Sequence, residues 1–235
     1  MKKAKMLLLV SDEMRRHYET KYKLKLSEKS VIMPCFNELA IVEDAFRQEK
    51  YEQNNFVYVG SLHAWQCFEQ TVKLYAEIEK IAGTPTNLYV YTFQKELAEK
   101  IIKEQGICNY AVDFVDKDEL SERIKGIKYG FVIREDCTVN AVATPTKFSN
   151  YLANGIIPIY SSTLRSFHDY DSNHHVGIVY DLDNHQAGLS AIINDLQSTK
   201  SAEEVKAKCA EAFDSYYAAE RYKETIVEKI TKLIG

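Results

Sequence analysis

The chain has 235 residues, a formal net charge of −4 and a hydrophobic share of 46%. That length suits one large α/β domain, or one domain plus part of another, and the slight acidity leaves no basic face for nucleic acid. No apolar run approaches the ~20 residues needed to span a bilayer. Residues 6–10 are too short for a signal-peptide core. Cys35, Cys67, Cys108, Cys137 and Cys209 are scattered without a CxxC pair. They read as reduced thiols of a cytoplasmic protein, not as a disulfide or zinc framework. Sixteen tyrosines suggest aromatic helix edges and a surface that meets a partner.

In chain order, residues 6–10 (MLLLV) read as a buried strand. Ser11, Asp12 and Glu13 then open a helix to about Tyr22, because a capping serine before acidic residues suits a helix start. Residues 30–34 read as a second strand, and residues 38–55 as a charged linker with some helix. The alternative is that these first strands are simply strands of one domain with the rest. A strand at 56–60 ends in Gly60, and Ser61, Leu62, His63, Ala64, Trp65 and Gln66 lead into a long helix to about Ile81. Strands at 88–92 and 110–115 alternate with helices at 94–104 and 118–125. Beyond residue 160 come a helix at 163–167, a strand at 176–179, a helix at 184–196, and amphipathic helices at 202–213 and 216–234. Strands alternating with helices of ~10–15 residues indicate an α/β fold with a doubly wound parallel sheet.

Residues 129–160 organise the chain. A buried strand at 129–133 stops abruptly at Arg134, Glu135 and Asp136. Thr144 is placed as an N-cap with Pro145 at the first helical position. The helix at 146–153 ends at Asn154 and Gly155, and a buried strand follows at 156–160. This is a right-handed βαβ unit. Its working end is the strand's carboxyl edge beside the helix N-terminus, where free N–H groups and the helix dipole favour an anion. Arg134 and Lys147 flank that point. A lysine in the first turn opposes the dipole by ~0.3–1 kcal/mol, a placement more easily understood if an anion sits between. A nucleotide-type phosphate is the expected ligand. The plainer readings are an Arg134 ion pair with Glu135 or Asp136, a solvated Lys147, and a Gly60 that only makes a turn.

Arg134, Asp136, Val139, Asn140, Val142, Ala143, Pro145, Thr146, Lys147, Phe148, Tyr151, Leu152, Ala153, Gly155 and Pro158 stand in one fixed register. This pattern resembles the donor-binding core of glycosyltransferases with two Rossmann-like domains (the GT-B fold). The likeness is to the large retaining family that includes sucrose-synthase-like and capsule enzymes. Gly60, Ser61, Leu62 and Trp65 are similar to that family's glycine turn. The resemblance implies a Rossmann-like donor domain at 51–235, preceded at 1–50 by the end of an acceptor domain, a βαβ remnant, and a linker. It implies hexosyl transfer from a nucleoside diphosphate sugar, with UDP as the expected nucleotide, to a saccharide or lipid-linked acceptor in envelope polysaccharide synthesis. Anomeric configuration would be retained, with no metal or other cofactor.

The same resemblance assigns diphosphate binding to Gly60, Ser61, Arg134, Thr146 and Lys147, and ribose binding to Asn150. The base would meet backbone groups at Val115 and Asp116. No catalytic residue can be assigned. The expected partners are the donor, the glycan or lipid-linked acceptor, and a missing acceptor domain or partner subunit, at the inner face of the membrane through peripheral association. The terminal helix is expected to cross back toward the acceptor domain.

Four positions depart from the pattern. Asn150 stands where a glutamate is usual, Val142 replaces a second glutamate, and Ser61 and Gln66 replace a basic pair. They favour an alternative reading, a non-catalytic or partner-dependent homologue that is half of a split enzyme. On the donor-domain reading the isolated chain is expected to bind nucleotide but to transfer sugar poorly or not at all.

His63 either faces the donor site or is merely exposed. His168, His174, His175 and His185 match no zinc spacing and are expected on a wet loop with Asp169 and Asp171. Asp113, Asp116 and Asp118 lack the companions of a phospho-acceptor pocket. Trp65 and the tyrosines are expected in the core and at its rim.

Overall fold

The computed structural model describes residues 1 and 3–234. It begins with β1 (Leu7–Leu9), α1 (Asp12–Tyr22) and β2 (Ser30–Ile32), whose strands pair in parallel with Leu8 opposite Val31. The extended Ser11 accepts a hydrogen bond from the Met14 N–H at 3.0 Å, as a serine N-cap should. The first strand is shorter than residues 6–10 suggest, and Leu8 is 52% exposed. A two-stranded sheet covers little of either face, so only Leu9 of this strand is buried. The pair does not join the main sheet.

The short α2 (Gln48–Tyr51) then leads into the larger layer. Its elements are β3 (Asn54–Val59), α3 (Phe68–Ile81), β4 (Thr86–Tyr91), α4 (Lys95–Glu104), β5 (Tyr110–Asp113) and α5 (Lys117–Ile124). There follow β6 (Tyr129–Val132), α6 (Thr138–Ala141), α7 (Lys147–Ala153), β7 (Ile157–Tyr160), α8 (Arg165–His174), β8 (Ile178–Val179) and α9 (His185–Gln197). The six strands are parallel in the order β5-β4-β3-β6-β7-β8. The chain therefore starts in the middle, winds outward to β5, returns, and winds the other way to β8. This is the doubly wound Rossmann-like order, and the reversal between β3 and β6 opens a crevice at their carboxyl ends, where ligands bind in such sheets.

Strand alternation divides the core into two layers. Phe56 and Tyr58 of β3 join Val72, Tyr75, Phe131 and Ile192 on one face. Val57 joins Val132, Phe148, Tyr151, Phe167 and Tyr217 on the other. Phe56 stacks on Tyr129 and Phe131 at centroid distances of 4.9 and 5.6 Å. Tyr58, Tyr75, Tyr129, Tyr151, Tyr160 and Tyr217 are fully buried, so many of the tyrosines build the core and not a partner surface. Five of these hydroxyls donate within the fold, for example Tyr129 to Asp195 at 2.9 Å and Tyr160 to Asp171 at 2.8 Å.

The histidines do not share a loop. His168 and His174 lie on α8, His175 caps it in the left-handed region, and His185 opens α9. Asp171 on α8 is buried and also accepts the N–H groups of Val176 and Gly177. Packing of Phe167 and the bonds to this carboxylate extend the helix through Asp169, Ser172 and Asn173, residues that locally favour a loop. The last two helices, α10 (Ala202–Ala212) and α11 (Ala219–Ile234), are separated by a π-helical turn at Phe213–Tyr217. α11 returns to the first βαβ unit, where the Lys229 ammonium donates to the Glu28 carbonyl at 2.9 Å. No helix among the described residues is long and apolar enough to cross a membrane.

Candidate functional site

The site forms where β3 and β6 end side by side. Gly60 follows β3 with a φ of +131°, while its N–H still donates to the Tyr91 carbonyl at 2.9 Å. The chain then makes a 3-10 turn at Ala64–Gln66, and Cys67 takes a left-handed conformation before α3 begins. That turn buries Gln66 next to the residues that follow β6.

Arg134 is fixed from both ends. Its backbone N–H donates to the Ser161 hydroxyl at 3.0 Å. Its guanidinium donates to the Ile133 carbonyl at 2.7 Å, the Gln66 carbonyl at 3.3 Å and Gln66 Oε1 at 2.6 Å. Lys147, the first residue of α7, donates to the same Gln66 Oε1 at 2.8 Å and sits 4.8 Å from the Tyr58 ring centroid. A Cβ on residue 60 would lie 3.1 Å from the lysine nitrogen. Glycine is thus needed here both for its φ and for the close approach of Lys147.

Two cations converge on one neutral oxygen. Among the described residues neither has a carboxylate partner at ion-pair distance, so the Arg134 pair with Glu135 or Asp136 does not form. Asp136 instead accepts from the Thr163 hydroxyl at 2.9 Å. Arg134 is 4% exposed. Burial lowers the pKa of both groups, and for Lys147 the neighbouring Arg134 charge lowers it further. Like charges held together away from water are unfavourable unless an anion enters. An anion placed between them would relieve that repulsion. The cavity of about 360 Å³ beside Arg134 is mixed in charge, lined also by Arg165 and by Glu135, Asp136, Asp181 and Asp183.

The remaining expected residues divide. Ser61 is half-buried, and its carbonyl accepts from the Tyr58 hydroxyl at 2.7 Å. Thr146 precedes α7 with a helical backbone and makes no side-chain cap. Thr144 is not the N-cap either. Its hydroxyl accepts from the Cys35 N–H at 2.9 Å, so a contact across the fold displaces the local one, and Pro145 stays outside the helix. Asn150 lies on α7 with its side-chain oxygen buried and without a hydrogen-bond partner, an acceptor in want of a donor. Val142 is half-buried, and its carbonyl accepts from Ser11. Val115 packs against the core while Asp116 is exposed. Both follow β5, two strands from β3, which at ~4.8 Å per strand places them roughly 10 Å along the edge. They are not gathered with the two cations.

His63 and Trp65 stack at 5.7 Å, and Trp65 is 49% exposed, so it belongs to the rim and not to the core. Sequence reasoning missed Gln66, which it counted as a lost cation, and Tyr58 and Ser161, which support Lys147 and Arg134. It also passed over Phe93 and Phe114, exposed at 65% and 53% just beyond β4 and β5.

No known protein-family profile matches the sequence, and no curated protein matches it. Solved structures do match. A point mutant of S. aureus TarM, in complex with fondaparinux, alpha-GlcNAc-glycerol and UDP, superposes with a TM-score of 0.71 at 10% identity over 99% of this chain and 44% of that one. Sucrose-phosphate synthase from Thermosynechococcus elongatus gives 0.71 at 15% identity, over 98% of this chain and 59% of that one. WaaG, a glycosyltransferase involved in lipopolysaccharide biosynthesis, gives 0.68 at 14% identity, over 93% and 61%. This chain thus spans between 44% and 61% of the length of these three proteins. At such identities the likeness is one of fold, and the chain has the Rossmann-like architecture of a GT-B domain.

Proposed function

We propose that this chain is the donor-binding part of a glycosyltransferase that takes a nucleoside diphosphate sugar. The observation that carries the reading is the pair of cations, buried Arg134 and half-buried Lys147, held on a neutral glutamine at the crevice between β3 and β6. A diphosphate supplies the missing charge. Gly60, Ser61 and the amides of Thr146 and Lys147 would approach it from the backbone, and Asn150 would offer its open oxygen to the ribose. Val115 and Asp116 would meet the base. UDP is the nucleotide proposed, since TarM was solved with it. The cations and amides would stabilise the leaving diphosphate, the electrostatic role of prearranged donors. Transfer of a hexose with retention, without a metal, to a saccharide or lipid-linked envelope acceptor at the inner face of the membrane completes the reading. On it, residues 1–50 are the end of an acceptor domain with its linker, and residues 51–235 bind the donor.

A second reading is favoured by Gln66 and Asn150. Both replace charged residues of the resembled pattern with neutral amides, as in a homologue that binds without catalysing or that works with a partner. Calorimetric titration of the chain with UDP, GDP and UMP tests the first reading. The expected result is binding of one diphosphate, weaker binding of the monophosphate, and loss of binding in Arg134→Ala and Lys147→Ala. Folded protein that binds none of the three would overturn it. Robust sugar transfer by the isolated chain would remove the second.

A further inference from the structure

A cavity of about 650 Å³ lies at the opposite, amino-terminal edge of the six-stranded sheet. It is lined by Lys128, Asn54, Asn55, Asn87, Ser198 and Thr199, among others. β3 separates it from the cation site. Six residues at ~3.3 Å each make that separation roughly 20 Å.

Lys128 immediately precedes β6. Phe56 pairs with Tyr129, so Lys128 falls beside Asn55 at the sheet edge. Lys128 is 1% exposed, yet among the described residues its ammonium has neither a hydrogen-bond acceptor nor a carboxylate at ion-pair distance. It lies instead over the Tyr129 ring, 5.0 Å from the nitrogen to the centroid. Asp195 is already engaged, accepting the Tyr129 hydroxyl at 2.9 Å and the Lys200 ammonium at 2.5 Å. Glu52, the carboxylate of the lining, is exposed, and Lys200 adds a second ammonium to the cavity wall. Burial holds the Lys128 ammonium below its ordinary range, with Asp195 opposing the shift. A buried, unpaired cation is unfavourable unless something pairs with it.

The rest of the lining selects among anions. Asn87 donates to Asn55 at 3.0 Å, and Asn55 donates to Gln53 at 2.9 Å, which leaves amide oxygens and N–H groups facing the cavity. Amides and hydroxyls both donate and accept, and so match neighbouring hydroxyls on one ligand. The volume falls in the range of small-molecule sites.

We propose that this cavity binds a small polyhydroxylated anion, a sugar bearing a carboxylate or a phosphate, with Lys128 taking the charge and the asparagine and hydroxyl side chains taking the ring hydroxyls. The site stands independently of the nucleotide reading. Its two sources, a free sugar phosphate or the uronic acid of a glycan, share this chemistry.

The test is NMR and calorimetric titration of the full chain with glucose 6-phosphate and with glucuronate, using glucose and inorganic phosphate as controls. At least one sugar acid is expected to bind and to shift the resonances of Asn55 and Asn87, with both controls roughly tenfold weaker or more. Lys128→Met should abolish binding and raise the melting temperature, because it removes an unpaired buried charge. Asn87→Asp, at an exposed position that leaves the core intact, puts a fixed carboxylate in the cavity and should lower affinity similarly. UDP titrated in parallel should be unaffected by either change. Absence of binding by both sugar acids, or unchanged binding in both variants, overturns the proposal. Inorganic phosphate binding as tightly as glucose 6-phosphate overturns its sugar half.

Discussion

The Gln66 side-chain oxygen accepts from Arg134 and Lys147 at 2.6 and 2.8 Å, yet carries no charge to offset theirs. Replacing it with glutamate supplies the missing carboxylate with little change of shape. Gln66→Glu is therefore expected to stabilise the unliganded fold by ~1–3 kcal/mol through charge-assisted hydrogen bonds, and to weaken UDP binding roughly tenfold or more by occupying the anion's place. Thermal unfolding and calorimetry read both effects. A variant that is less stable and binds equally well would show that the cations are not waiting for an anion. Lys147 supplies a second, independent reading. Burial and Arg134 lower its pKa, so its ammonium loses a proton more readily in the free protein. An anion reverses that shift, so UDP binding should take up protons and weaken as the pH rises. Calorimetry in two buffers of different ionisation enthalpy measures the uptake, and zero uptake across alkaline pH counts against a titrating Lys147.

The position of α7 on the sheet is set by Gly130. A Cβ there would lie 2.5 Å from the Tyr151 ring, which occupies the space above β6. Gly130→Ala should destabilise the fold by ~1–3 kcal/mol through overpacking. It should also weaken UDP binding, because the displaced helix carries Lys147 and Asn150. A urea midpoint equal to wild type would mean that Tyr151 has room to move.

Much at this scale was legible in the chain. Apolar runs between amphipathic stretches placed five of the six strands of the large sheet, and an alternating, partly polar run placed the edge strand β5, none of whose residues is fully buried. Elements created by distant contacts were not legible. α6 is four residues long and carries no start signal of its own. Cys67 adopts a conformation usually given to glycine, so nothing announced the turn that brings Gln66 to the two cations. The cations themselves were legible because their spacing from strand and helix is local, whereas their shared oxygen lies 68 and 81 positions away.

Across the whole molecule, the N-terminal segment is fastened to the loop and helix that carry the site. Ser11 donates to the Val142 carbonyl at 2.8 Å, the Asn37 N–H to Ser149 at 2.9 Å, and the Val42 N–H to the Ala153 carbonyl at 2.7 Å. Lys50 closes this clamp, donating to the carbonyls of Asn154 and Ala45 while only 5% exposed. Burial moves its pKa from an ordinary 10.5 down to about 7. Between those two values the unfolded chain binds more protons than the folded one, so stability rises with pH from about 7 upward. Below that both states are protonated and the slope vanishes. Lys147 is shifted in the same direction and adds to the rise. Cys209, pushed up to about 12, opposes it only where its unfolded thiol begins to ionise, near 9.

The urea midpoint of the wild-type chain should therefore increase between pH 7 and 8.5, with Lys50 contributing up to roughly 1 kcal/mol per pH unit. In Lys50→Met the rise should shrink to what the remaining buried lysines supply, and the variant should lose its pH advantage first at the alkaline end of the window. An undiminished slope would mean that Lys50 keeps its proton in the folded state, and that the clamp holds its ammonium through the two carbonyls without a titration. The same variant separates fastening from titration. If amide exchange at residues 144–150 quickens in Lys50→Met at pH 6, where both states are protonated and no slope exists, the N-terminal segment holds the site by hydrogen bonding. UDP affinity should then fall in parallel with the exchange protection.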